Sequence, residues 1–97
     1  MIDKRIIDIY PMAVEAFLIN IGMPLDMLLH IPVHNFIEYF DSKGLFIGIT
    51  CDADGLFWIP EICGQPLAVQ HNRNKAYQIA IEEGFRMLEE ANEFVVK

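Results

Sequence analysis

Residues 45–62 constrain this chain more than any other stretch. An apolar run, Leu45-Phe46-Ile47-Gly48-Ile49-Thr50-Cys51, leads into Asp52-Ala53-Asp54-Gly55, and a second run, Leu56-Phe57-Trp58-Ile59-Pro60-Glu61-Ile62, follows. Asp-Gly between two such runs signals a β-hairpin, because a type I′ turn needs positive φ at both central residues. Helical patterns flank the hairpin on both sides, so the expected class is α+β, with antiparallel strands at about 45–51 and 56–62. Alternation puts Leu45, Ile47, Ile49 and Cys51 opposite Leu56, Trp58, Pro60 and Ile62 on a wholly apolar inward face. The other face carries Phe46, Gly48, Thr50 and Asp52 with Phe57, Ile59, Glu61 and Cys63. Trp58 is the expected anchor of the core. Pro60 has no N–H for a ladder, so its strand is expected at an edge or to end there.

Proline and glycine punctuate the first half. Pro11 suits the first position of a helix reaching about Ile21, where Gly22 stops it. That helix is apolar nearly all round, apart from Glu15 and Asn20, a pattern of helices in the middle of a domain. Residues 4–10 fit either a strand or the first turns of a helix. Pro24 opens a short helix through about His30, with Asp26 in its first turn near the positive end of the dipole. Pro32 opens another, whose inward stripe is Val33, Phe36, Ile37 and Phe40 and whose stop is Gly44. Residues 64–73 read as loop, with Leu67-Ala68-Val69 able to add a short strand. A C-terminal amphipathic helix at about 74–94 takes Asn74 or Asn72 as its N-cap. Its stripe is Tyr77, Ile81, Gly84, Leu88, Ala91 and Val95, widened by Ala80, Phe85 and Met87. Ile79 falls on the polar side.

Residues 1–97 make one domain of ordinary size. Apolar residues form 54% of the chain, above the usual share of about 45–50%. That is more apolar surface than so small a domain hides, so a homo-oligomer or a protein partner is expected. The net charge of −7 argues against direct binding of a nucleic-acid backbone or an anionic membrane surface. Cys51 and Cys63 fall on opposite hairpin faces, and free thiols suit a reducing cytoplasm. Lys4 and Arg5 precede an apolar stretch that Asp8 and Glu15 interrupt, which is not a secretory signal. Residues 16–37 hold only one formal charge, Asp26, but Pro24, Pro32, Asn20, His30 and His34 favour core helices over a membrane span. Met12, Met23 and Met27 are read as fillers of core gaps.

Few residues suggest chemistry. Asp52-Ala53-Asp54-Gly55 after an apolar strand resembles motif I of the haloacid-dehalogenase-like hydrolases, whose two aspartates serve as nucleophile and acid/base with Mg²⁺. Leu56 stands where that family has Thr or Val, and too little chain follows Gly55 for the remaining motifs. The same residues are ordinary turn formers. Read as a calcium loop from Asp52, the required oxygen ligand, glycine and glutamate positions hold Leu56, Phe57 and Cys63, so that reading fails. His30, His34 and Glu38 share a helical spacing suited to a metal, but Pro32 interrupts it and no second ligand pair exists. A Cys–His nucleophile pair is outweighed by the habit of cysteine to pack as a small hydrophobe. No catalytic, cofactor-binding or metal-binding residue is therefore assigned.

Residues 35–90 resemble short uncharacterised helix–hairpin–helix proteins of bacterial phages and mobile elements. The resemblance lies in the amphipathic helix ending at Lys43-Gly44, the two strands with Trp58 on the second, and the final helix opening Asn74-Lys75-Ala76-Tyr77 and continuing Ile79-Ala80-Ile81. It implies a bacterial or phage accessory protein and supplies no catalytic residues. The reading that follows is a cytoplasmic, non-enzymatic protein–protein interaction or oligomeric protein. Its candidate contact surface is Phe46, Phe57 and Ile59 on the outer hairpin face, with exposed Ile79. The alternatives are an acidic inhibitor that mimics nucleic acid on a basic enzyme, and a small enzyme or metal protein.

Overall fold

The computed structural model describes residues 5–91. It is an α+β fold: α1 (Ile6–Ile9), α2 (Pro11–Ile21), a 3₁₀ helix (Leu25–His30), α3 (Val33–Ser42), β1 (Ile47–Cys51), β2 (Trp58–Ile62), β3 (Gln65–Pro66) and α4 (Arg73–Ala91). The open question over residues 4–10 resolves as helix from Ile6 to Ile9. Pro11 takes the first helical position of α2, where its missing N–H costs nothing. Asn72, not Asn74, caps α4: its side-chain oxygen accepts the Lys75 N–H at 3.1 Å. The expected helix end near Phe94 and the stripe residue Val95 lie outside the described residues.

The sheet is antiparallel in the order β1-β2-β3. Ile47 faces Ile62, Ile49 faces Pro60 and Cys51 faces Trp58, so the expected pairing of faces holds, over strands that begin two residues later than the expected 45 and 56. The turn differs. Asp52 and Phe57 are the last bonded pair, Asp52 N–H donating to Phe57 O at 3.1 Å. Four residues then make the loop. Gly55 N–H donates to Asp52 O, and the Asp52 carboxylate accepts the Leu56 and Phe57 N–H groups at 2.7 and 2.9 Å. The two-residue turn with positive φ at both centres occurs instead at Cys63 (φ 51°) and Gly64 (φ 79°), which swing β3 back onto β2. The stretch expected as loop thus contributes a strand at Gln65–Pro66 and a bridge from Gln70 to Trp58. Leu67 N–H reaches Pro60 O, whereas Gln70 pairs with Trp58, so one extra residue bulges between them.

That third strand overturns the edge placement of Pro60: β2 is central and runs on to Ile62. The carbonyl of Pro60 points to β3, and its missing N–H falls on the same side, where the short, bulged β3 offers no regular ladder. Cys51 and Leu56, expected to face inward, are exposed, because α4 covers the sheet only towards Pro60 and Ile62.

The core lies among the helices. Phe17 stacks on Phe36 at 4.6 Å and meets Tyr39 and Phe85 edge-on at 5.0 and 5.6 Å, while Phe40 meets Phe85 at 4.9 Å. Offset and edge-on pairs of this kind contribute about 0.5–1.5 kcal/mol each beyond their buried area. Gly84 permits the last of these approaches, since a Cβ there would sit 2.9 Å from the Phe40 ring. Trp58 is only half-buried and stands outside this cluster. It is therefore not the anchor expected of it. Ile37 and Val33 are half-buried on α3, and Tyr39, absent from the expected stripe, is buried in their place.

Candidate functional site

The face of α2 turned away from the core is itself apolar. Ala13, Val14, Phe17 and Leu18 point inward. Met12 and Ile19 lie two turns apart on the opposite side, 55% and 74% exposed. Helical geometry puts Glu15 beside them. Gly22 closes the helix and leads the chain to Met23, Pro24 and Leu25. Ile7, Pro11, Leu18, Ile19, Met23 and Leu25 then line a groove of about 380 Å³, with Glu15 on its lip. Met27 and Leu29 on the 3₁₀ helix are also exposed. Met12, Met23 and Met27 are therefore surface residues and not core fillers. From residue 6 to residue 42 the formal charges are Asp8, Glu15, Asp26, Glu38 and Asp41, with no Lys or Arg. The apolar face is bordered by negative charge alone along its own elements.

A second cleft, about 410 Å³, lies beside it between α1 and α4, lined by Arg5, Ile6, Asp8, Ile9, Tyr10 and Glu82. Burial raises the Tyr10 phenol above its ordinary value of 10.0, opposed by the nearby Arg86 and helped by Glu83, Glu82 and Glu90. Burial also raises Tyr39. Arg86 is held by Glu83 and Glu90 along α4, and the hydrogen bond to Glu83 raises its already high value.

A carboxylate from the far end of the chain fixes the start of α2. Tyr10 precedes the helix without a side-chain cap. Glu89 of α4 supplies one, accepting the Ala13 N–H at 2.6 Å and the Met12 N–H at 3.4 Å. The negative group also sits at the positive end of the α2 dipole. The outward face carrying Met12 and Ile19 is thereby positioned by α4.

Phe46 and Phe57 are 60% and 43% exposed, on the same sheet face but at opposite ends of the hairpin, beside Cys63 and Asp52 respectively. Phe57 rests on the His71 ring at 5.1 Å. Ile59 is half-buried between them, and Ile79 is half-buried on α4 where exposure was expected. The four do not gather into one patch on a single copy. Asp52 is committed to its turn and Asp54 is exposed. His30 ends the 3₁₀ helix and His34 lies in the first turn of α3, both exposed, with Pro32 between them. Among the described residues no three His, Cys, Asp or Glu side chains gather into a group that could hold a metal. Cys51 and Cys63 are free and exposed, and the Cys63 thiol lies 3.6 Å from Gly44 O. Among the described residues no helix is long and apolar enough to cross a membrane.

A scan of protein-family models, a search of curated proteins and a search of solved structures each found no match to this chain. The groove residues were absent from the sequence-derived surface because an all-round apolar helix was assigned to the interior. The usable signal was there: Met12 and Ile19 repeat at seven, a second apolar stripe behind Ala13, Val14, Phe17 and Leu18.

Proposed function

We propose that this chain is a non-enzymatic protein-interaction protein whose groove on α2 and the 3₁₀ helix takes a cationic amphipathic helix from a partner. The observation that carries this reading is the exposed run Met12, Ile19, Met23 and Leu25 set in a segment with acidic charges only. Apolar side chains on an incoming helix find a groove in which exposed methionines can adjust to irregular shapes. Lys or Arg on the flanks of that helix finds Glu15 on the lip and Asp26 next to Leu25. A cytoplasmic setting and a bacterial or phage origin belong to the same reading. They are supported by two free thiols and by the pattern of residues 35–90.

The test is titration of the methyl-labelled chain with a synthetic helix of alternating Leu and Lys faces. The methyl signals of Met12, Ile19, Met23 and Leu25 should move together, and added salt should weaken binding. Ile19→Lys, at an exposed position, should lower affinity about tenfold or more, since burying an Ile side chain is worth about 1.5–3 kcal/mol. Equal binding by the variant, or methyl shifts confined to the hairpin, would overturn the assignment.

A further inference from the structure

The outer edge of β1 is open. In an antiparallel ladder the pairs that exchange hydrogen bonds alternate along the strands. Cys63 N–H donates to Phe46 O, and Asp52 N–H donates to Phe57 O. The bonded pairs are thus 46–63, 48–61, 50–59 and 52–57. It follows that the N–H and C=O groups of Ile47, Ile49 and Cys51 point away from β2. Among the described residues nothing pairs with them. Open edges are usually guarded by charge, proline, a bulge or a covering segment. Residues 45–51 contain no charge and no proline, and β1 pairs with β2 through five consecutive positions without a bulge.

We propose that β1 pairs with β1 of a second copy of this chain, antiparallel about a two-fold axis at Ile49, joining two three-stranded sheets into one. In that register Ile49 faces its own counterpart, and Ile47 faces Cys51 of the second copy. These three pairs are the ones with free groups, so about six hydrogen bonds form across the axis. The same patch serves both copies, as a two-fold contact requires. A second copy is favoured because the chain carries −7 overall while β1 itself carries none of it; the carboxylate that reaches β1, that of Glu61, lies over Gly48, which faces Thr50 of the second copy in this register, so no two carboxylates are set directly opposite. Gly48 and Thr50 on the outer face are small, so they do not obstruct the approach. The register also brings Phe46 opposite Asp52 of the second copy. Phe46 of one copy and Phe57 of the other then share one end of one face, two strand spacings or about 10 Å apart. The two exposed rings that a single hairpin keeps apart are gathered by the dimer.

This inference is independent of the groove, and its test separates the two. Sedimentation of the full chain up to about 1 mM, a concentration that detects weak self-association, should show a monomer–dimer equilibrium strengthened by added salt as like charges are screened. Amide exchange followed by NMR should show Ile47, Ile49 and Cys51 unprotected in dilute solution and protected at least tenfold as dimer accumulates. Ile49→Pro removes an outward N–H and no bond to β2, so it should abolish the dimer while the far-UV circular dichroism stays unchanged. Should that variant fail to fold, the exchange experiment on the unaltered chain still decides. A strict monomer at the highest concentration overturns self-pairing and leaves the edge to an extended peptide. So does a dimer whose three amides stay unprotected, which would put the second copy elsewhere, or protection already complete in dilute solution.

Discussion

The two halves of α4 rest against different kinds of interior. Around Phe85, aromatic rings from α2 and α3 interlock, and the side chains that make the contacts are almost wholly shielded from water. Around Ala76 and Ala80 the helix lies on the sheet, where Pro60 and Ile62 are buried but Trp58, Ile47 and Ile49 are only half-covered. The first region is held by close packing of large rings. The second depends more on the backbone ladder and on two alanines that let the helix approach. Stability and exposed binding surface thus need not lie at opposite ends: the well-packed helical end is also the one that presents the groove.

Substitutions at the two ends should therefore lose stability unequally. Phe85→Ala should cost about 3–5 kcal/mol, whereas Trp58→Ala, at a half-covered site, should cost about 1–2 kcal/mol. Equal losses in urea unfolding would abolish the distinction. Gly84→Ala sets two effects against each other. A mid-helix alanine gains up to about 1 kcal/mol in propensity, but overpacking costs about 1–3 kcal/mol, and the buried Phe40 ring has no free end to move aside. The net expectation is a loss of about 1 kcal/mol, seen as a melting point lower by roughly 4–8 °C. A rise in melting temperature would mean the helical end is less tightly packed than described. Glu89→Ala should cost about 1 kcal/mol or less, within the range for losing a helix cap. Amide exchange should rise at Met12 and Ala13 and leave the sheet unaffected.

Helix starts and stops were legible in the sequence because Pro11, Gly22, Pro24, Pro32 and Gly44 act within one turn of where they stand. Strand register was legible for a related reason: a slip by one residue would expose Ile47, Pro60 and Ile62 together. The tight turn at Cys63-Gly64 was not, since a cysteine with positive φ carries no local signature, while Asp54-Gly55 carries a strong one. β3 followed from that missed turn, and the central position of β2 followed from β3. The groove was hidden for another reason. Periodicity reports which residues are apolar, but not which of two apolar stripes on α2 meets α4. That choice is made by long-range partners such as Phe85 and Glu89. The open edge of β1 needs the full strand order, so no single stretch of sequence announces it.

The carboxylate that closes the first turn of α2 belongs to a residue 76 positions later than the amide it receives. On a translating ribosome, at about 5–20 residues per second, Ala13 is made roughly 4–15 seconds before Glu89 exists. Throughout that interval the start of α2, with Met12 on it, lacks the carboxylate that fastens it in the folded chain. Any chaperone that attends this protein has its longest opportunity there, and the later turns of α4 bring it to a close.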